Sequence, residues 1–250
     1  MKTKILLLLL ALSLTASAQR DDFWRDIDLT ARTGYNIGGT APIPMPASIR
    51  KLNSYTLQAN ASLGLTAEKH LSDKWGVQAS LYFENKGMRE DARVKNYHEA
   101  IVRGSQRLEG QFTGDVETRV TQWMFTLPIE ATFHLNNRLK LYTGPYLSWV
   151  VGKDFDGKAH NGYLRVGDPT GGKVELGNDP TTWGSYDFDD NMRNWQWGID
   201  IGADWQTWKR TGLYAALKWG LSGVFQSDFH TIGQTLYPIY ATVGLTYKLR

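Results

Sequence analysis

The chain has 250 residues, and its 28 Lys and Arg residues against 25 Asp and Glu residues give a formal charge of +3. That length allows one or two domains, and so weak a charge bias gives no reason to expect a nucleic-acid partner. The lack of cysteine excludes disulfide scaffolds, thiolate metal sites and cysteine nucleophiles. Its 25 glycines, 10 Trp, 12 Tyr and 9 Phe favour strands and turns.

The first 18 residues have the pattern of an export signal. Lys2 and Lys4 precede an apolar run over residues 5–14, and Ala16-Ser17-Ala18 offers an A-x-A cleavage site. The apolar run is too short for a transmembrane helix, which needs about 20 residues. We therefore expect a signal peptide at 1–18, a periplasmic segment at 19–26 and one barrel domain at 27–250.

From residue 27 onward, apolar and polar side chains alternate with a period of two, which is typical of strands with two unlike faces. Odd positions carry the apolar residues, as in Leu63 and Leu65, and even positions carry polar ones, as in Ser62 and Thr66. The pattern predicts eight strands, at residues 27–38, 55–68, 75–84, 122–135, 139–151, 195–208, 213–225 and 237–249.

The connections decide between a soluble and a membrane barrel, because alternation alone fits both. Long and short connections alternate along the chain, as in outer-membrane barrels, which have short periplasmic turns and long outer loops. Trp75 and Trp205 fall near one set of strand ends, and Trp123 and Trp149 near the other, as two aromatic girdles require. The sequence therefore predicts an all-β protein, an eight-stranded antiparallel transmembrane up-and-down β-barrel of a Gram-negative outer membrane.

The two longest connections, at 85–121 and 152–194, are expected to be outer loops. Residues 162–177 resemble a hairpin around Asp168-Pro169-Thr170-Gly171. Its arms are too short to span a membrane, so we expect the hairpin to stand above the bilayer and the barrel to keep eight strands rather than ten.

Four segments resemble the Bacteroidetes-type outer-membrane β-barrel proteins called PorT-like. They are Leu81-Tyr82-Phe83-Glu84-Asn85-Lys86-Gly87, Phe125-Thr126-Leu127-Pro128-Ile129-Glu130, Leu141-Tyr142-Thr143-Gly144-Pro145-Tyr146-Leu147 and Trp197-Gly198-Ile199-Asp200-Ile201-Gly202-Ala203. Each motif is short, and their order and spacing carry the resemblance over most of residues 27–250. It implies an outer-membrane barrel and no single activity.

Charged side chains recur on the polar face that would line the barrel. An eight-stranded barrel is only wide enough for side chains to fill it, and buried charges need partners, so a packed ionic plug follows instead of a water-filled pore. We expect Lys218 and Arg32 or Lys248 to neutralise Asp200 and Asp204. The predicted interior set, which we regard as structural, is Asp28, Arg32, Glu84, Glu130, His134, Lys140, Asp200, Asp204, Lys218 and Lys248.

Signals for chemistry are weak. Nucleotide-binding, zinc-protease and serine-hydrolase motifs are absent, and the five histidines show no ligand spacing. We therefore predict no catalytic residue, no cofactor and no metal, with His134 satisfied by a hydrogen bond near Glu130. Calcium at the acidic runs Asp154-Phe155-Asp156 and Asp187-Phe188-Asp189-Asp190 is an alternative.

The predicted function is that of a non-enzymatic outer-membrane protein with a filled lumen. Its long loops would serve adhesion, partner docking or envelope stabilisation. The expected partners are outer-membrane lipids, lipopolysaccharide and a protein bound through the loops, with no nucleic acid. One alternative is an enzyme acting on lipid or lipopolysaccharide, using His98, His160 or His230 of the loops. Another is a subunit of a secretion or uptake complex.

Overall fold

The computed structural model describes residues 26–229 and 231–250. The predicted signal peptide and residues 19–25 lie outside the described residues. Within the described ranges, no helix is long and apolar enough to cross a membrane. The strands, all antiparallel in their pairings, are β1 (Ile27–Pro42), β2 (Ile49–Thr56), β3 (Ala61–His70), β4 (Trp75–Arg103), β5 (Gln106–His134), β6 (Leu139–Val166), β7 (Lys173–Leu176), β8 (Gly184–Asp187), β9 (Trp195–Gln206), β10 (Thr211–Gly220) and β11 (Leu236–Lys248).

Eight of these strands pair in a closed series, which we call the wall. Pairing runs from β1 to β3, β4, β5, β6, β9, β10 and β11, and β11 pairs back with β1. The described residues contain eleven strands, not the eight predicted, because β2, β7 and β8 add to one end of the wall.

The wall is apolar on its outer face and polar on its inner face. Leu63 and Leu65 are each 60% exposed, whereas Ser62 is fully buried and Thr66 is 2% exposed. A soluble barrel has the reverse arrangement, with its apolar side chains inside. The alternation read from the sequence is therefore that of a barrel covered by lipid.

The connections differ at the two ends of the wall. At one end, where the sequence predicts short turns at 69–74, 136–138 and 209–212, the structure has them at 71–74, 135–138 and 207–210. At the other end, β4 and β5 run for 29 residues each and meet at Gly104 and Ser105. The expectation that residues 85–121 form a loop is therefore wrong: they continue two paired strands.

The second predicted loop, 152–194, also contains strands. β6 continues to Val166 and pairs with β7 from Gly162 opposite Leu176 to Arg165 opposite Lys173, which confirms the hairpin at 162–177. β8 then pairs with β6 and touches β4 at Val102. Strand β6 thus connects the wall to the additional structure above it.

The predicted strand at 55–68 is two elements. β2 turns away to pair with β4 near Arg89, and β3 starts only at Ala61. Asn60 lies between them, 2% exposed, and its amide donates to the backbone oxygens of Asn36 and Gly87 at 3.2 and 2.8 Å. This bridge satisfies backbone groups where the ladder of β3 has not yet begun.

The structure beyond the wall, which we call the cap, comprises β2, residues 87–121, residues 152–194 and residues 221–229 and 231–236. It has a hydrophobic core of its own. The buried members are Met88, Val94, Tyr97, Ile101, Phe112, Val116, Val120, Phe155, Ala159, Leu164, Leu176, Tyr186, Phe188, Met192, Val224, Phe225, Ile232 and Leu236. The cap is therefore a folded body and not a set of loose loops.

Candidate functional site

The alternation of the wall inverts where β4 and β5 enter the cap. In the wall the outward residues are apolar, as at Phe83 and Phe125, but in the cap they are charged, as at Arg89 and Arg119. The inward residues change from polar to apolar in the same place, with Met88 2% exposed and Val120 fully buried. This inversion is what a strand needs when its outer face passes from lipid to water.

The outward face of the cap carries a row of paired charges on neighbouring strands. Arg89 Nη2 lies 2.7 Å from Glu117 Oε1, and Lys158 Nζ lies 3.2 Å from Glu117 Oε2. Arg93 Nη1 lies 2.7 Å from Asp115 Oδ2. Partial burial alone would raise the pKa of Glu117, but Lys158 and Arg89 lower it below its usual value. Exposed pairs of this kind add little stability each and leave charged groups available at the surface.

Aromatic side chains border the same face. The Lys158 ammonium lies 4.5 Å from the ring centroid of Trp183, and the Lys173 ammonium lies 4.6 Å from that of Tyr163. Both rings are half-buried. Tyr, Trp and Arg are enriched in the central parts of protein interfaces, so the face has the composition of a binding surface.

Inside the cap, two carboxyl groups line a cavity of about 50 Å³ together with Tyr97 and Tyr186. Glu99 is 2% exposed, and its Oε1 has no hydrogen-bond partner among the described residues. Burial raises the pKa of Glu99 to about 8 and that of Glu90 to about 7. The cavity has room for a few water molecules. Its volume is well below the roughly 150 Å³ of a cavity that binds benzene.

The middle of the wall encloses two ion pairs of the predicted interior set. Lys218 Nζ lies 3.4 Å from Asp200 Oδ2, and both side chains are 2% exposed. Arg32 Nη2 lies 2.6 Å from Asp204 Oδ2, and Arg32 Nη1 donates to the Tyr142 hydroxyl at 3.2 Å. The structure therefore brings together the residues that the sequence pairs, with Arg32 as the partner of Asp204.

Glu84 also lies in this interior, but its partner is a residue that the sequence analysis missed. Lys86 Nζ is 3.1 Å from Glu84 Oε1, and Thr126 donates to the same oxygen at 2.7 Å. The Lys86 ammonium lies 5.7 and 5.6 Å from the ring centroids of Tyr146 and Tyr240. The predicted outer loop at 85–121 includes Lys86, although its even number continues the inward face of β4.

The remaining charges of the predicted interior set lie nearer the short-turn end, where Asp28 and Lys248 are not buried as predicted but expose 35% and 41% of their side chains. Lys140 Nζ contacts Glu68 Oε2 at 2.7 Å and Asp204 Oδ2 at 3.1 Å. Lys248 Nζ contacts Asp28 Oδ2 at 2.9 Å and so pairs with neither Asp200 nor Asp204. Glu68 is a second residue missing from the predicted set, although it has the even number that marks the inward face.

Glu130 and His134 have other partners than expected. Glu130 Oε2 accepts from the Gln78 amide at 2.7 Å, and no ion pair to Glu130 occurs within the described part of the chain. His134 Nε2 lies 2.9 Å from Glu68 Oε1 on β3, across the intervening strand β4. His134 thus contacts Glu68 on another strand, whereas the sequence predicts Glu130 on its own strand.

The model of the outer membrane protein beta-barrel domain matches residues 16–226. The chain belongs to this family. It is therefore an outer-membrane protein, as the sequence predicts, and lipid covers the apolar outer face of its wall.

Solved outer-membrane proteins are similar to the chain at low identity. Ail, the attachment invasion locus protein of Yersinia pestis, is 10% identical, with 89% of this chain and 97% of that chain covered and a TM-score of 0.34. Neisserial surface protein A is 8% identical, with 90% and 97% covered and a TM-score of 0.36. OprG from Pseudomonas aeruginosa is 14% identical, with 89% and 96% covered and a TM-score of 0.34. No curated protein matches the chain.

The histidines proposed for an outer-membrane enzyme are separated within the cap. His98 Nδ1 contacts the backbone oxygen of Thr231 at 2.9 Å, and His160 Nε2 contacts Asp91 Oδ2 at 3.1 Å. His230 lies outside the described residues. His160 Nδ1 also contacts the Asn178 side chain at 3.0 Å, so both of its nitrogens face structural partners.

The acidic runs considered for calcium do come together, since Asp156 on β6 is opposite Asp187 on β8. Partial burial and neighbouring carboxylates raise the pKa values of Asp154, Asp156 and Asp189. Asp189 Oδ1 accepts from the Phe155 amide, which gives this carboxylate a structural role at the edge of the cap core. Calcium binding here stays an untested alternative.

Proposed function

We propose that the chain is an eight-stranded transmembrane barrel that presents its cap outside the cell as a non-catalytic docking surface. In this arrangement the short turns face the periplasm, the lumen is closed by side chains, and membrane lipids and lipopolysaccharide surround the wall. The cap would bind a macromolecular partner in adhesion or in assembly at the cell surface. Stabilisation of the envelope would be a form of this role that needs no macromolecular partner.

The hydrophobic core of the cap is the observation that carries this proposal. Loops without contacts of their own would pay a large entropy cost on binding, whereas a packed β-structure holds its surface groups in place beforehand. Phe155 is 1% exposed and packs edge to face on Phe225 at a centroid distance of 4.7 Å. A buried core of this size supports a preformed surface above the membrane.

The internal cavity of the cap is not needed for this role, and the outward face supplies suitable groups instead. Arg89, Arg93 and Lys158 are paired but accessible, and Lys158 lies beside Trp183. The small volume of the internal cavity and the separated histidines support docking over catalysis.

Within the outer-membrane family we further propose a PorT-like affiliation. The four segments that carry this resemblance all lie in wall strands, namely β4, β5, β6 and β9. In the segment on β6, the glycine has a structural reason: a Cβ on Gly144 would lie 2.0 Å from the backbone oxygen of Ile129. Its Gly-Pro-Tyr motif thus fits a close approach of β6 to β5.

Single cysteines provide the test, since the native chain has none. Ser105→Cys lies at the tip of the β4–β5 hairpin, and Asn137→Cys lies in a short turn. We expect a thiol-reactive crosslinker in cells to give a discrete adduct from position 105 and none from position 137. In the Ser105→Cys variant, the further substitutions Arg89→Glu and Arg93→Glu should abolish the adduct. Heat-modifiable gel migration should show that the barrel of this variant is intact.

The same experiment separates the alternatives. A discrete adduct from position 137 alone would support a periplasmic secretion or uptake complex and overturn docking through the cap. An adduct from position 105 that survives both charge reversals would show that the row of paired charges is not the binding face. Altered lipid or lipopolysaccharide in a deletion strain, restored by the wild-type chain, would support the enzyme.

A further inference from the structure

Two histidines and two carboxylates meet at the short-turn end of the wall, away from the cap. Glu68 and His70 are two residues apart on β3 and therefore share one face of that strand. His134 ends β5, and Asp28 lies at the start of β1. Histidines so far apart in the sequence show no ligand spacing, and the barrel closure brings them together.

The ligand atoms are close enough to share one ion. The available atoms of Glu68, His70 and His134 all lie within 4.8 Å of one another. His134 Nε2 is 2.9 Å from Glu68 Oε1, and His70 Nε2 is 3.3 Å from Asp28 Oδ2. Tetrahedral zinc with bonds of about 2.0–2.1 Å holds its ligand atoms about 3.3 Å apart. The two contact distances are near that separation.

Gly76 explains how side chains of β3 and β5 meet across the strand between them. It lies opposite His70 on one side and Thr132 on the other. A Cβ at this position would lie 2.6 Å from Thr132 Oγ1 and 3.2 Å from Glu68 Oε1. Glycine thus leaves the space in which Glu68 reaches His134.

The surrounding groups hold the carboxylates in place. Lys140 contacts the other oxygen of Glu68 at 2.7 Å, and Thr132 donates to Glu68 Oε1 at 2.6 Å. Lys248 contacts Asp28 at 2.9 Å. Hydrogen bonds of this kind fix ligand orientation around metal ions, and the two lysines balance part of the acidic charge.

The cluster opens to solvent. It lines a cavity of about 360 Å³ at the mouth of the barrel, and His70 and His134 expose 40% and 22% of their side chains there. Imidazole suits borderline transition ions such as Zn²⁺, whereas Ca²⁺ and Mg²⁺ prefer oxygen alone. An entry path and mixed nitrogen and oxygen donors are both present.

We propose that Glu68, His70 and His134 form a binding site for a divalent transition-metal ion at the short-turn mouth of the barrel, with Asp28 beside His70. A bound ion would link β3 and β5 across β4 and so stabilise the closed wall, because binding to the folded state alone favours that state. This proposal does not depend on the docking role of the cap.

Zinc binding to the purified barrel in detergent, without a polyhistidine tag, tests the site. We expect calorimetry with Zn²⁺ to show a single saturable site per chain, and a higher unfolding temperature with Zn²⁺ but not with Ca²⁺ or Mg²⁺. His70→Gln and His134→Gln should each weaken Zn²⁺ binding at least about tenfold. The double variant should lose both binding and thermal stabilisation.

His160→Gln is the matched control, since His160 lies in the cap and contacts Asp91 and Asn178. It should bind Zn²⁺ as the wild type does, and heat-modifiable migration should show that every variant is folded. Absence of saturable binding to the wild type would overturn the site. Unchanged binding by the folded double variant would do the same.

Discussion

Lys218 on β10 lies directly opposite Asp200 on β9, with its Nζ 3.4 Å from Asp200 Oδ2 inside the barrel. The Lys218 ammonium also lies 4.7 Å from the ring centroid of Tyr82. Both charges are taken out of water, so each depends on the other for compensation. This relationship makes the interior charges sensitive to single substitutions.

Lys218→Met should strongly destabilise the barrel. It leaves the carboxylate of Asp200 buried without its partner, which costs on the order of 3–5 kcal/mol. Urea unfolding of the detergent-folded protein, followed by heat-modifiable migration, measures the loss. Lys173→Met is the control, because Lys173 is exposed and forms its ion pair with exposed Glu175. Equal stability of the two variants would contradict a paired interior.

The purified protein should give no large, steady conductance in planar bilayers. Gln78 and Glu84 are fully buried and Arg32 is 3% exposed, so side chains fill the middle of the wall. Water-filled channels need wider barrels of about 16 strands. Stable channels of porin size from the monomer would overturn the closed lumen.

The sequence predicts the wall well and the cap poorly, for one physical reason. In the wall, a single rule places apolar residues at odd positions, and lipid outside makes that rule strict over every strand. At Met88 and Arg89 the rule inverts, because water replaces lipid outside and an apolar core replaces the polar lumen. The predicted strand ends at residue 84, ahead of this inversion, so the sequence analysis misses both Lys86 and the cap.

Labelling of single cysteines in intact cells should reveal the orientation. Ser105→Cys at the hairpin tip should react with a membrane-impermeant maleimide, whereas Asn137→Cys in a short turn should react only after the outer membrane is opened. The native chain contributes no thiol background. The reverse labelling pattern would mean that the cap faces the periplasm.

Gly144→Ala should impair barrel assembly. The added Cβ would lie 2.0 Å from the backbone oxygen of Ile129, so the ladder between β5 and β6 must shift. Gly172→Ala is the control, because no atom lies within 4 Å of a Cβ there. We expect a lower yield of heat-modifiable protein in the outer membrane for the first variant alone. Wild-type yield from Gly144→Ala would show that this close approach is dispensable.

The sequence predicts only part of the candidate sites. Asp200 and Lys218 follow from the inward face of adjacent strands, so their pairing needs little beyond strand order. The meeting of His70 with His134 depends on Gly76 in the strand between them and on the exact register. No local pattern contains that information, because it exists only once three strands are aligned.

The stability of the cap should fall as pH rises, through Glu99. Its pKa is about 8 in the folded cap against 4.5 ordinarily, because burial disfavours the charged form. Between these values the unfolded chain loses the proton while the folded cap retains it, so rising pH favours unfolding. The slope reaches at most about 1.4 kcal/mol per pH unit for one group.

Glu99→Gln should remove this contribution, because a neutral amide of the same shape has no charge to bury. Hydrogen exchange of cap amides, compared between wild type and variant at each pH, cancels the intrinsic effect of pH on exchange. The cap of the Glu99→Gln variant should be only slightly more stable than that of the wild type near about pH 5, and this difference in stability should grow towards about pH 8. Glu175→Gln, whose side chain is 68% exposed, should show no such trend. A wild-type-to-variant difference that stays constant with pH would refute the role of Glu99.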